Sequence, residues 1–123
     1  SSAMLRIGLF DDIGDFDESL PACEDYDLWL RISMKYEVEL INEPLIIKKG
    51  GHADQLSKKY WGMDRFRVVA LKKLLDSNSL EGERLRLTRS ELARKCSVLI
   101  KGFVKRGKKE EELHYRTIIK KYS

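Results

Sequence analysis

Glu24-Asp25-Tyr26-Asp27-Leu28-Trp29-Leu30-Arg31 is the stretch whose reading decides the fold, because it marks where a loop turns into a helix. Pro21 stands just upstream, helix formers follow, and Leu28, Ile32 and Tyr36 recur every four residues, so one apolar stripe faces a core. The spacing predicts a helix from Glu24 to about Tyr36, with Trp29 in the core. Glu24 and Asp25 fall in its first turn, where the macrodipole favours ionised carboxylates and unpaired backbone N–H groups offer donors. A carboxylate held charged and aimed out of a helix start can take a proton. The plainer reading is that the pair only caps the helix.

Upstream, residues 5–23 read as a loop-rich lead-in with one short apolar segment, Leu5 to Phe10, then Gly14 and a run of carboxylates. Downstream, Val38-Glu39-Leu40-Ile41-Asn42 alternates like a half-buried strand, and Leu45-Ile46-Ile47 is a second β-rich run after Pro44. Gly50-Gly51 ends that run and introduces a shaped loop from His52 to Ser57. Three helices are then expected. The first, Lys58 to Asp76, has Trp61, Phe66, Val69, Ala70, the Lys73 stem and Leu74 as its apolar set. The second, Glu83 to about Arg106, carries Leu85, Leu92, Cys96, Leu99, Ile100 and Phe103 and stops at Gly107. The third, about Lys109 to Lys121, turns Leu113, Tyr115, Ile118, Ile119 and Tyr122 inward. The expected fold class is therefore α+β: a mixed α/β part over 4–57, which the resemblance described below makes an incomplete GT-A-like fragment, then a helical C-terminal extension over 58–123.

With 42% hydrophobic and 36% charged residues, the chain has enough aliphatic and aromatic side chains to build one core. No apolar run approaches the roughly 20 residues that cross a bilayer. Ser1-Ser2-Ala3-Met4 lacks the features of a signal peptide and reads as an expression scar. Cys23 and Cys96 show no metal-ligand or disulfide spacing, so a reducing, cytoplasmic setting is expected. Residues 1–57 hold 5 Lys/Arg against 12 Asp/Glu, and residues 58–123 hold 19 against 8. The acidic half suits acid–base chemistry, whereas the basic half suits an anionic partner or is a set of solvated helix faces.

Four segments together carry a resemblance: Ile13-Gly14-Asp15-Phe16-Asp17-Glu18-Ser19-Leu20, Glu24 to Arg31, Ile41-Asn42-Glu43-Pro44-Leu45, and His52-Ala53-Asp54-Gln55-Leu56-Ser57. In this order and spacing they resemble the family 2 glycosyltransferases over about residues 5–75. The resemblance is to the acceptor-side, C-terminal part of a catalytic domain of the nucleotide-sugar-binding architecture called GT-A. It implies inverting transfer of a sugar from a nucleotide-diphosphate sugar to an acceptor hydroxyl. Position-matched to the family's Glu-Asp motif, Asp25 would be the base, with Glu24 orienting it or binding the acceptor. Asp17 and Glu18 match the loop before the base and would touch the acceptor; turn formation explains them equally well. His52 matches a position that reaches metal or phosphate, and a loop histidine without a ligand is the even alternative. Gln55 and Ser57 are weaker candidates of the same motif.

No Asp-x-Asp motif of the kind that holds a cation and diphosphate occurs in a suitable context, so the donor-binding residues stay unknown. The resemblance implies a divalent cation, Mn or Mg, for the full-length enzyme, none held by this fragment alone, and an inactive isolated chain. A nucleotide-sugar donor and a glycan or lipid-linked acceptor are the implied partners, with peripheral contact at the inner face of the membrane. Uncovered apolar surface suggests a homo-oligomer for the fragment in isolation. Asp27 and Arg31, four residues apart, form a surface pair or a brace. His114 reads as a surface residue. The competing class is a basic helical binding module for a membrane surface or nucleic acid, though no nucleic-acid motif supports the latter; a carboxylate-pair hydrolase lacks a second, separated carboxylate.

Overall fold

The computed structural model describes residues 3–47 and 59–123. Among these, every regular element is a helix: α1 (Leu9–Ile13), α2 (Glu24–Lys35), α3 (Asp64–Asp76), α4 (Gly82–Lys105) and α5 (Lys109–Tyr122). His52, Gln55, Ser57, Gly50-Gly51 and the expected boundary between residues 57 and 58 lie outside the described residues.

Helix α4 organises the molecule. Its 24 residues extend roughly 36 Å, and it packs against both α3 and α5, while α2 packs against α3. The buried positions of α4, Leu92, Cys96, Leu99, Ile100 and Phe103, repeat at three and four residues, as one face of a helix requires. They meet Val68, Leu71 and Leu75 of α3 and Tyr115, Ile118 and Tyr122 of α5 in one cluster. Phe103 stacks on Tyr115, with ring centroids 5.6 Å apart. Tyr26, Leu30 and Met34 of α2 pack against the edge of the same cluster.

The turn between α4 and α5 follows from Gly107. Its φ of 68° lets the chain reverse, so the Lys108 N–H reaches the Phe103 carbonyl at 3.0 Å and the Gly107 N–H reaches Val104 at 3.1 Å. Two carbonyls that the helix end would orphan are thereby satisfied.

The structure overturns the α+β, GT-A-like expectation. The chain leaves α2 in an extended conformation at Tyr36, yet neither 38–42 nor 45–47 forms a strand. A strand is stable only beside another, where its N–H and C=O groups find partners. The described residues supply no second strand. Leu40 and Ile47, at 86% and 90% exposure, lie open to solvent, as do Val38, Ile41, Leu45 and Ile46. In α3 the buried set is Val68, Ala70, Leu71 and Leu75; Val69 and Trp61, expected inside, are exposed. Trp29 is only partly buried.

Candidate functional site

The start of α2 is fixed by what precedes it. Leu20, Ala22 and Cys23 are buried, and Cys23 adopts a left-handed backbone conformation, φ 61°, that swings the chain into the helix. Its thiol points at the Met63 carbonyl at 3.7 Å, and burial pushes the thiol pKa up. One residue on, Glu24 is half-buried, and Asp25 is exposed. Asp25 Oδ1 accepts the Tyr26 N–H at 2.7 Å, one of the donors that the first turn leaves without a partner.

The neighbouring carboxylate has a different role. Asp27 is 2% exposed, the deepest charged residue among those described. Arg31 Nε donates to its Oδ2 at 3.0 Å, and Lys73 Nζ of α3 donates to its Oδ1 at 2.8 Å. Both carboxylate oxygens are thus satisfied by cations, the condition under which a buried charge is tolerated. Arg31 also donates to the carbonyls of Ile13, Gly14 and Asp15, which lashes the lead-in loop to α2. The sequence left a surface pair or a brace open for Asp27 and Arg31, and the geometry makes it a buried brace.

Asp17 belongs to this network. Its Oδ2 pairs with Lys73, and its Oδ1 accepts the Ser19 N–H at 3.0 Å and the Ser19 hydroxyl at 2.6 Å. The Lys73 hydrogen bond, helped by those from Ser19, holds the Asp17 carboxyl down at about 2. Burial opposes the charge on Lys73, but the two carboxylates outweigh it and raise the lysine above its usual value. Asp12 ties α1 to the far end of α2 through Lys35 at 2.9 Å and the Tyr36 hydroxyl at 2.6 Å. Glu18 is exposed beside this network.

The structure therefore brings Asp17, Glu24 and Asp25 to the lead-in loop and first turn of α2. Lys73 was not legible as the partner of Asp27, because the 46 residues separating the two leave no local signal. A groove of about 310 Å³ opens beside the brace, lined by Ile13, Leu30, Met34, Ala70 and Leu74 together with the braced charges. Those charges already satisfy one another. Among the described residues no group of three or more His, Cys, Asp or Glu side chains could hold a metal ion. Nor is any described helix long and apolar enough to cross a membrane.

No protein-family model matches the chain, and no solved structure matches it. Proteins of Rickettsia felis, Rickettsia conorii and Rickettsia bellii, each bearing the name uncharacterized glycosyltransferase, are 38%, 36% and 34% identical to it over 58 residues. The match takes in 47% of this chain and 10%, 9% and 8% of the respective relatives. The chain thus covers a tenth or less of each relative, and over just under half its own length it is similar to glycosyltransferases.

Proposed function

We propose that the chain is the acceptor-side part of a family 2, inverting glycosyltransferase that uses Asp25 as its base. A hydroxyl is a poor nucleophile, so its proton must leave as its oxygen attacks the anomeric carbon. The oxygen–carbon bond forms on the face opposite the departing nucleotide diphosphate. The bond from the anomeric carbon to the diphosphate oxygen breaks, and the proton passes to Asp25 Oδ2. Glu24 orients Asp25 or the acceptor, and Asp17 and Glu18 contact the acceptor. His52 serves phosphate or metal. Acceptors are glycans or lipid-linked saccharides at the cytoplasmic face of a membrane.

The observation that carries this reading is the contrast between Asp25 and Asp27. Two residues apart on one turn, Asp27 is consumed by Arg31 and Lys73, whereas Asp25 is exposed and its only hydrogen bond among the described residues comes from the adjacent Tyr26 N–H. The brace fixes the helix start, and the free carboxylate faces solvent. The likeness to the Rickettsia proteins supports the transferase class. Because those relatives extend far beyond the matched segment, donor binding is assigned to another part of the enzyme.

The test compares the purified 123-residue chain with the longer enzyme that carries it, using a panel of radiolabelled nucleotide-diphosphate sugars. Transfer is expected from the longer enzyme alone. Metal-dependent transfer by the 123 residues alone contradicts the assignment.

A further inference from the structure

Between Glu91 and Glu110 the chain carries seven Lys or Arg residues and no Asp or Glu. The stretch covers the second half of α4 and its turn into α5. Several of these cations are engaged within the fold. Lys95 pairs with Asp64 and Glu91, Arg94 with Glu91, and Lys108 with Glu111, while the Arg106 guanidinium lies back over the Phe103 ring. Lys101 and Lys105 differ. Both are exposed, and among the described residues neither forms an ion pair with a carboxylate.

Their position on α4 is set by the helix period. The buried residues Leu92, Cys96, Leu99 and Phe103 step by four, three and four residues. Arg94, Val98, Lys101 and Lys105 repeat those steps two residues later, and two residues turn a helix by about 200°. This second row therefore runs along the side of α4 opposite the core. It extends roughly 17 Å from Arg94 to Lys105. Val98 lies within it at 51% exposure, and Val104 stands beside it at 53%. Because α3 and α5 both meet the buried face, neither covers the outer row.

We infer that the outer row of α4 lies on the surface of a bilayer rich in anionic phospholipid. The use of this contact in sugar transfer rests on the glycosyltransferase reading, whereas the contact itself does not. Charge selects the surface: two ammonium groups without internal partners, in a stretch without carboxylates, face the phosphates of the headgroups. The valines select lipid over other polyanions. An aliphatic side chain between two lysines gains burial at the boundary of headgroup and acyl chain, whereas a nucleic acid is gripped through its phosphates and stacked bases and the row offers no aromatic ring. A protein partner would find no free arginine, since Arg94 is held at both nitrogens by Glu91, 2.7 Å away at each. Holding the enzyme on the surface raises the local concentration of a lipid-linked acceptor.

The experiment sediments the whole 123-residue chain with vesicles of equimolar phosphatidylglycerol and phosphatidylcholine, and with vesicles of phosphatidylcholine alone. Saturable binding to the anionic vesicles only is expected, and it should fall as salt is raised from about 0.1 M to about 0.5 M. Lys101→Gln combined with Lys105→Gln should weaken it by roughly tenfold or more, and Val98→Ser combined with Val104→Ser by roughly threefold to tenfold. All four side chains are exposed, so the fold is kept. Absence of binding to the anionic vesicles overturns the proposal. So does equal weakening by Arg6→Gln with Arg89→Gln, which removes the same charge from exposed positions off this row. Tighter binding of duplex DNA than of vesicles, or self-association of the chain, lost in the double lysine variant, also overturns it by giving the row another occupant. Because no transfer is measured, a failure here leaves the role of Asp25 to be judged separately.

Discussion

Lys73 Nζ lies 2.8 Å from Asp27 Oδ1, and the same ammonium pairs with Asp17, so one lysine of α3 joins a buried carboxylate of α2 to the loop ahead of it. The two contacts differ in worth. Asp27 is withdrawn from water and its loss of a partner is felt fully, whereas the Lys73–Asp17 contact is screened by solvent. Lys73→Met is therefore expected to destabilise the chain by about 2 kcal/mol, less than the loss of a wholly buried partner because Arg31 still holds Asp27. In a double-mutant cycle, coupling of Lys73 to Asp27 should exceed its coupling to Asp17, which solvent screens. Urea unfolding of the variants measures both; the reverse order would show that the brace is peripheral.

Acid should loosen the lead-in loop in a defined window. The folded value of Asp17, about 2, lies below its ordinary 3.8, so its stabilising contribution is complete above about pH 4 and is lost as pH falls through about 2. Hydrogen bonds from Tyr36 and Lys35 depress Asp12 in the same direction. At Asp64 burial works the other way, but Arg67 and Lys95 outweigh it. Stability followed by urea midpoint from pH 5 to pH 2 should fall, and Asp17→Asn should flatten part of that slope. An unchanged slope in the variant would remove Asp17 from the network.

The chain reversal at Gly107 allows a test of backbone conformation with little change in packing. A Cβ added there meets nothing within 4 Å, so Gly107→Ala should cost about 1 kcal/mol from the left-handed backbone alone. Cys23 has the same backbone problem in a buried place. Cys23→Val should therefore cost about 2 kcal/mol or more, because a β-branched side chain resists φ 61°, while Cys23→Gly trades relieved strain against lost burial and changes stability by under about 1 kcal/mol. Thermal unfolding resolves the order; Val tolerated as well as Gly would contradict the strain at the start of α2.

Helices were legible where their period was long. Leu92, Cys96, Leu99, Ile100 and Phe103 mark α4 from the sequence alone, and Gly107 marks its end. The phase of α3 was not, because Trp61 and Val69 looked like core residues and only the neighbouring helices decide that Val68 and Leu71 face inward. Alternation at Val38 to Asn42 indicated a strand, but pairing is a property of two segments, and the pattern of one cannot supply its partner. For the site, the placement of Glu24 and Asp25 in the first turn of α2 followed from Pro21 and the helix period. The burial of Asp27 did not, since it depends on Lys73, 46 residues away in the chain.

The most direct test of the central claim is the rate of sugar transfer by Asp25→Asn in the longer enzyme that carries this chain, with Asp27→Asn beside it. Removing a general base should lower kcat by roughly a hundredfold to ten-thousandfold with little loss of thermal stability, since Asp25 is exposed and asparagine keeps an acceptor for the Tyr26 N–H. Asp27→Asn should instead lower stability first. Undiminished transfer by the Asp25→Asn enzyme would contradict the assignment of the base.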